Sequence, residues 1–597
     1  MSSSLKKYTP YLLFTFAVLL YLNTINHGYV LDDFSVIKEN FVVKSGTEGI
    51  STIFKTPYRY GYGFQTGSLF RPIPLSIFAL EWQLFPDQPW FAHLINILLY
   101  GFATVVLYQL VSKWANAAIA LITALLFIAH PLHTEVVANI KSLDEILSFL
   151  LLLLILKFYH SYHHSKDKKQ LWLAIALFFA AMLTKESSIT FIAVIPTTLY
   201  FFENVSLKKA LSSVSLFLIP LIPYFIMRQN ALGALTSNSP VAAIDNLLVG
   251  INDVSELIAT KFYLVGLYLY KLVLPLNLSS DYSIQHLSAI KVSNPLFLIS
   301  LVVVILLIIL TVKQFKKRSL IGFGLLFFAI TFSISTNLLF TIGTHFGERL
   351  LFIPSVGFCL IIAYFINKLI SSNKLKPIGI TICVGILLAY SGKTISRNQA
   401  WESDLVLYST DIKTVPNSAR INYSLGLEIM KEKAVKAVNE TDRVNYFVES
   451  EGYLKRATEI YPAYSDAFGN LGLLKYRTKD FATAERYYLK AIELNPKNAI
   501  VLSNLGAIYF EMKQYEAARN TYSRALAANP NMADANANMG ATLATLGQLQ
   551  GSIPYFTKAI ELNPTNVQNY YFLGITYQNL GNPAKAKEYM DLYNGMK

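Results

Sequence analysis

The sequence predicts an all-α protein in two parts: a polytopic transmembrane helical domain over residues 1–396, then an α-solenoid of helical repeats over residues 397–597. Three observations predict it. The first part is a succession of apolar runs long enough to cross a bilayer as helices. The second carries glycine, proline and alanine at a fixed 34-residue spacing. Charge divides at the same place. From Arg397 onward there are 22 Lys plus Arg and 20 Asp plus Glu, close to balance, whereas the preceding residues hold 29 and 17. That basic excess fits loops retained in the cytoplasm, and no nucleic-acid signature accompanies it. With 53% hydrophobic and 15% charged residues, the chain as a whole is not a soluble globular protein.

The membrane part begins with Met1 to Lys7, short and basic, and an apolar run from Tyr8 to Leu22 without a small-residue cleavage site. This reads as a first transmembrane helix rather than a removed signal peptide. Runs follow near 91–112, 115–130, 144–160, 170–184, 187–203, 208–226, 254–276, 293–312, 320–340, 349–369 and 376–392. Segment 71–86, interrupted by Pro72, Pro74 and Pro86, reads as a short span or an interfacial helix. The basic tracts Lys6-Lys7, Lys166–Lys169, Lys208-Lys209 and Lys313–Arg318 are expected in the cytoplasm. Alternation then puts the large first loop, residues 27–90, outside. Keeping Lys313–Arg318 inside requires a second crossing or a re-entrant segment between 227 and 292, for about 11 to 13 spans in total. The last three spans deliver the repeats to the same extracytoplasmic side as the first loop. Cys359 and Cys383 lie within apolar runs, so no disulfide framework is expected.

In the second part, Gly472, Gly506, Gly540 and Gly574 are 34 residues apart, as are Pro462, Pro496, Pro530 and Pro564, and Ala491, Ala525 and Ala559. A 34-residue period with small residues at fixed phase is the signature of tetratricopeptide repeats (TPRs), each two antiparallel helices. Leu425-Gly426 precedes Gly472 by 46 residues, one period plus a 12-residue insertion. About four to five repeats are expected, closed by a lone capping helix near Pro583 to Tyr593. Asn470, Asn504 and Asn538 precede the Leu/Met-Gly pairs. This position faces the concave groove, and a carboxamide both donates and accepts, so it can pair with an extended peptide whatever its side chains. The row resembles the asparagine ladder with which the TPR superhelix of O-GlcNAc transferase grips peptide backbone. It breaks at Ser424 and Phe572.

Chemistry-bearing residues gather where the spans meet the extracytoplasmic side. Asp32 and Asp33 follow the first span in Tyr29-Val30-Leu31-Asp32-Asp33-Phe34. Paired carboxylates at a membrane surface are costly unless solvated or used, and one could take the proton of an attacking hydroxyl. Downstream stand Phe70-Arg71-Pro72, His130-Pro131-Leu132-His133-Thr134-Glu135, Lys185-Glu186, Asp281-Tyr282-Ser283 and Gly347-Glu348-Arg349. Arg71, Lys185 and Arg349 could neutralise a lipid-linked phosphate, although each alone also reads as a snorkelling helix-end residue. His130, His133, Glu135, Glu186, Glu348 and Asp281 are candidates for the substrate site. His130 and His133 lack the i, i+4 spacing of a helical zinc pair, so hydrogen bonding or a structural role is expected of them rather than metal.

These motifs in this order, followed by TPRs, resemble the TMTC family of transmembrane and tetratricopeptide-repeat O-mannosyltransferases, over essentially the whole chain. The His-Pro-Leu-His-Thr-Glu stretch and Glu348-Arg349-Leu350-Leu351-Phe352-Ile353-Pro354-Ser355 are its most specific parts. The Asp pair is shared across the wider GT-C class of lipid-sugar glycosyltransferases. The resemblance implies a GT-C fold, a polyprenyl- or dolichyl-phosphate sugar donor carrying mannose, and a Ser or Thr acceptor on polypeptides held by the TPR groove. It implies inverting transfer with Asp32 or Asp33 as base, Asp32 by analogy, and Arg349 and Arg71 on the donor phosphate. No cofactor or metal is demanded, though the Asp pair could bind Mg²⁺ or Mn²⁺. Compact loops and few cysteines point to a bacterial inner membrane with a periplasmic active face, the alternative being the lumenal face of the ER membrane. Two other readings stand beside this one: a non-catalytic membrane TPR scaffold, and a GT-C enzyme acting on a glycolipid or glycan.

Overall fold

The computed structural model describes residues 3–63, 67–233 and 241–596; the side chain of Lys6, half of the first basic tract, lies outside what it describes. Helices account for the regular structure throughout. Among the described residues the one β-type pairing is an isolated bridge between Ile284 and Leu287. The chain forms two compact units, Met1–Pro416 and Asn417–Lys597. Residues 397–416 therefore pack with the first unit. Arg397 is paired with Asp411 at 2.6 Å, both nearly buried, and Trp401 and Leu407 join a small core with Val30 and Ala138.

In the first unit, polar residues start helices where the sequence switches to apolar. Asn116 caps Ala117–Ala129 through Ile119 N, Ser319 caps Leu320–Phe332 through Gly322 N, and Asn294 caps Pro295–Lys316 with proline in the first turn. The central bundle is formed by Ser3–Tyr21, Pro89–Trp114, Ala117–Ala129, Leu143–Ser165 and Ser355–Ile370 around a core that includes Phe127, Phe149 and Phe352. Leu320–Phe332 and Ser355–Ile370 cross at Gly324 and Gly357. A Cβ on Gly357 would lie 2.3 Å from the Gly324 carbonyl oxygen, so only hydrogen at both positions permits this approach.

Among the described residues, three helices are long and apolar enough to cross a membrane: Pro89–Trp114, Pro295–Lys316 and Lys376–Gln399. Two bent pairs bring the number to five. Ala117–Ala129 and Pro131–Ala138 meet at 53°, and Leu207–Leu218 and Leu221–Leu232 at 43°. This is fewer than the 11 to 13 spans expected. Proline and polar residues break several apolar runs. Others become shorter helices, such as Glu186–Phe202, Leu320–Thr336 and Ser355–Ile370. Between Leu232 and Pro295 the described residues hold one long helix, Val254–Val273, and a single turn at Leu247–Gly250, not a second long crossing.

The second unit is a row of helix pairs: Ser465–Arg477 with Phe481–Leu494, Ala499–Glu511 with Tyr515–Ala528, Ala533–Thr545 with Leu549–Leu562, and Val567–Asn579 with Pro583–Met596. The last helix is thus the second member of a pair rather than a lone cap. The repeated glycine has one structural reason at every turn of the array. A Cβ at Gly472, Gly506 or Gly540 would meet the ring of Tyr488, Tyr522 or Phe556 at 2.6, 2.7 or 2.9 Å, and one at Gly574 would meet Met590 at 3.0 Å. Each partner lies 16 residues on. In the atypical first pair, Ala419–Glu428 and Glu440–Ile460, Gly426 meets Leu454 instead, 28 residues on, because the 12-residue insertion intervenes.

Candidate active site

The two aspartates of the first loop are driven apart by the backbone. Leu31 adopts a left-handed conformation (φ 53°), a strain of about 1–2 kcal/mol for a residue with a Cβ. Its N–H is held by Asp404 Oδ1 at 2.8 Å. The turn directs Asp33 inward. Asp33 is fully buried, accepting hydrogen bonds from Val30 N at 3.0 Å and Lys141 N at 2.7 Å. Burial pushes its carboxyl up to about 7 despite those N–H donors, and the charges of Asp32 and Asp404 push in the same direction. Asp33 therefore clamps the first loop to the 139–142 turn and does not present a base to solvent, contrary to the expectation that either aspartate could serve.

Asp32 points outward, with its side chain 46% exposed and paired to Arg59 Nη2 at 2.6 Å. Desolvation works to raise its carboxyl, but Arg59, Lys141 and Arg349 outweigh it and hold it below the ordinary range. An ionised, accessible carboxylate beside several cations is the arrangement reached from the Asp pair.

The remaining ionic groups interlock around it. Arg71 is nearly buried, bonded through Nη1 to Asp144 Oδ2 at 2.5 Å and through Nε to Glu186 Oε2 at 2.9 Å, and it lies over the Tyr58 ring. Glu186 also accepts from Phe70 N at 3.1 Å, with Arg228 Nη1 at 3.7 Å. Lys185 pairs with Glu145, and Lys141 reaches Asp144 at 3.6 Å. Burial lowers the Lys185 amine to about 7, with Arg71, Lys141 and Arg349 adding to the effect and Asp144 opposing it. Of the three cations expected on a donor phosphate, Arg71 and Lys185 are thus already committed to carboxylates in a buried network. Arg349 differs. Its side chain is 34% exposed, and Glu135 fixes it from behind by accepting from Nη1 at 2.5 Å and from its backbone N at 3.0 Å. Glu135 is consequently a positioning residue for Arg349.

Other expected site residues lie elsewhere in the packing. His130 and His133 are fully buried. His130 Nε2 lies 3.0 Å from the Leu272 carbonyl oxygen, while His133 bridges the Tyr100 hydroxyl at 3.0 Å and Ser355 Oγ at 2.9 Å. Through these contacts each imidazole ties its own segment to a distant part of the chain. Glu348 accepts from Ser279 N at 3.0 Å and from the Tyr282 hydroxyl. Burial raises its carboxyl to about 7, opposed by Arg397 and Lys271. Asp281 accepts from Ser283 N at 2.8 Å within the same loop, and Asp411 holds Ser280 N at 2.7 Å. Glu348, Asp281 and Asp411 together shape the 277–283 loop.

Sequence reasoning missed Arg59, Lys141, Asp144, Glu145, Arg228 and Asp404. A signal for three of them was available in Lys141-Ser142-Leu143-Asp144-Glu145, where charges stand directly against an apolar run. The two carboxylates occupy the first turn of Leu143–Ser165, the end of a helix that favours negative charge.

In the second unit Asn470, Asn504 and Asn538 are half-buried on the first helices of their pairs. Asn470 Nδ2 donates to the Tyr423 hydroxyl at 3.1 Å, and Asn504 and Asn538 lie beside the Tyr488 and Tyr522 hydroxyls. A tyrosine thus accompanies each carboxamide.

Residues 72–227 match the family described as dolichyl-phosphate-mannose-protein mannosyltransferase, and residues 463–531, 503–567 and 555–588 match tetratricopeptide-repeat families. The first of these stretches contains Glu135, Lys141, Asp144, Glu145, Lys185 and Glu186. Among curated relatives, the Caenorhabditis elegans protein O-mannosyl-transferase F38B6.6 is 26% identical over 70% of this chain and 59% of its own length. Human protein O-mannosyl-transferases TMTC1 and TMTC3 are 26% and 24% identical over 78% and 76% of this chain, and over 56% and 51% of theirs. The chain thus spans somewhat more than half the length of these relatives. Of solved structures, the tetratricopeptide-repeat protein YrrB aligns with 32% of this chain and 92% of its own at 20% identity and a TM-score of 0.27. Apolar helices bearing the mannosyltransferase match, followed by the repeats, make this chain similar in plan to the TMTC protein O-mannosyl-transferases.

Proposed function

We propose that the chain is a glycosyltransferase that moves mannose from a polyprenyl-phosphate donor to Ser or Thr hydroxyls of polypeptides, at the extracytoplasmic end of its membrane helices. The observation that carries this reading is the contrast within the Asp pair: Asp33 is consumed by the fold, while Asp32 is accessible, ionised and surrounded by cations. The names and family match of the relatives favour mannose and protein acceptors.

In this mechanism the acceptor hydroxyl approaches Asp32, which takes its proton as the oxygen attacks the sugar C1 from the face opposite the phosphate. The C1–O bond to the phosphate breaks as the new bond forms, which inverts the anomeric centre. Negative charge grows on the departing lipid phosphate. The exposed Arg349 guanidinium, held in place by Glu135, binds it in a bidentate manner. Arg71 and Lys185 act at one remove, by holding Asp144, Glu145 and Glu186 in a fixed network beside the reacting groups. The half-buried asparagines of the repeats supply backbone-directed hydrogen bonds to an extended acceptor.

The test is transfer by the purified full chain in detergent from polyprenyl-phosphate mannose to a Ser/Thr-rich peptide. The expected result is product that depends on Asp32. Donor binding without transfer to any peptide, together with transfer to a glycolipid, would replace the protein acceptor with a glycan one. Neither donor binding nor transfer, with peptide capture intact, would leave a scaffold.

A further inference from the structure

Far from Asp32, the helix that begins with Asp144 and Glu145 ends in Tyr159-His160-Ser161-Tyr162-His163-His164. His160 lies sixteen residues beyond Asp144, about 24 Å along the helix axis at 1.5 Å per residue, so this cluster is separate from the ionic network above. His160 and His164 have the i, i+4 spacing that places two imidazoles on one helix face. Glu203, the C-cap of Phe191–Phe202, is carried onto that face and is 6% exposed. Its Oε1 lies 2.5 Å from His160 Nδ1 and its Oε2 lies 3.0 Å from His164 Nε2. The three ligand atoms all fall within 4.8 Å of one another, and His163 Nε2 is 4.0 Å from Glu203 Oε2.

The geometry points to a divalent transition-metal site at His160, His164 and Glu203, suited to Zn²⁺. Two neutral imidazoles and one carboxylate form a borderline-soft N/O set that selects zinc-like ions over Mg²⁺ or Ca²⁺. A buried carboxylate facing two imidazoles is the half of the site that is costly to assemble, and here the fold has already assembled it. Ligands at about 2.0–2.2 Å from a tetrahedral ion stand roughly 3.4 Å apart, so the 2.5 and 3.0 Å contacts of Glu203 open, the closer of them the more, to admit one. His163 stands close enough to close a fourth position, which water fills otherwise. Lys113, Lys166 and Lys209 lie within electrostatic range of the imidazoles and oppose the ion. Glu203 offsets them. By the charge reading of the sequence this end of the bundle, with Lys166–Lys169 and Lys208-Lys209, is the cytoplasmic one. An ion here would pin Leu143–Ser165 to Phe191–Phe202 at that end.

The experiment is Co²⁺ titration of the metal-stripped full chain in detergent, read by the visible absorption of low-symmetry Co²⁺, followed by displacement with Zn²⁺. The expected result is one ion per chain, released by Zn²⁺, with affinity at least tenfold weaker, about 1.4 kcal/mol, in His164→Ala and in Glu203→Gln. His164 is 61% exposed, so its replacement leaves the fold intact. No Co²⁺ spectrum in the wild type overturns the proposal, because His160 and His164 are then no more than hydrogen-bond partners of Glu203. Binding that survives unchanged in both variants overturns it equally, by placing the ion elsewhere.

Discussion

Alanine at Asp32 and alanine at Asp33, two substitutions one residue apart, are expected to fail in opposite ways. Asp33 is fully buried and satisfies the N–H groups of Val30 and Lys141. Removing it leaves two buried donors unpaired at about 1–3 kcal/mol each, so Asp33→Ala loses roughly 2–6 kcal/mol of stability. Asp32 makes one partly exposed ion pair with Arg59, whose loss costs about 0–1 kcal/mol. Its loss as a general base slows transfer by about 10²–10⁴-fold. Thermal unfolding of the full chain in detergent, followed by tryptophan fluorescence, and mannose transfer measured on the same samples separate the two. Asp32→Ala should unfold near the wild-type temperature and transfer almost nothing, while Asp33→Ala should unfold earlier. An Asp32→Ala protein within tenfold of wild-type transfer would refute the base assignment. Equal unfolding temperatures for Asp33→Ala and wild type would refute the clamp.

The same clamp predicts a pH dependence. Asp33 titrates near 7 when folded, above the ordinary carboxylate value of about 4 in the unfolded chain, so its contribution to stability is complete below that lower value and is lost as pH rises through 7. A wild-type unfolding temperature that rises from pH 5 to pH 8 while Asp33→Asn stays level would contradict this. Arg71→Ala takes from the buried Asp144 carboxylate its nearest cation and from Glu186 one of its two arginines, and should cost about 3–5 kcal/mol, visible as poor folding before any effect on donor binding. In the repeats, Gly506→Ala forces a Cβ to 2.7 Å from the buried Tyr522 ring, whereas Gly551→Ala meets nothing within 4 Å. Overpacking of about 1–3 kcal/mol should make the first exchange amide hydrogens faster in Tyr515–Ala528, while the second gains up to about 1 kcal/mol from helix propensity. The double variant Asn504→Ala, Asn538→Ala should bind an extended peptide roughly tenfold more weakly in fluorescence anisotropy, two hydrogen bonds at about 0.5–1.5 kcal/mol each, with peptide side-chain sequence making little difference.

The repeats were the most legible part of the chain because each is specified locally. A glycine and its partner ring, 16 residues apart, are neighbours within one helix pair, so the spacing in sequence is the contact in space. The insertion was legible for the same reason, since moving the partner of Gly426 to Leu454 only adds its length. The membrane half was legible as apolar helices but not as a number of crossings. Hydropathy averages over a run and does not register a bend such as the 53° break at Pro131. Motif residues could be found by their charge in an apolar setting. What that reading could not supply was the partner of each: Arg71 and Arg349 look alike in sequence, yet one is enclosed by Asp144 and Glu186 and the other is left 34% exposed.

The sequence by itself determined the two-part helical plan, the repeat period and the approximate set of polar groups around the candidate site. These follow from composition and from contacts between residues close in the chain. Only the tertiary structure decided which aspartate faces out and which arginine stays partly exposed. The backbone turn at Leu31 is held by Asp404, and Arg349 is fixed by Glu135, partners 373 and 214 residues away in the chain. The charge state and exposure of a carboxylate or guanidinium are set by what surrounds it in space, and those neighbours come from loops that sequence spacing does not relate.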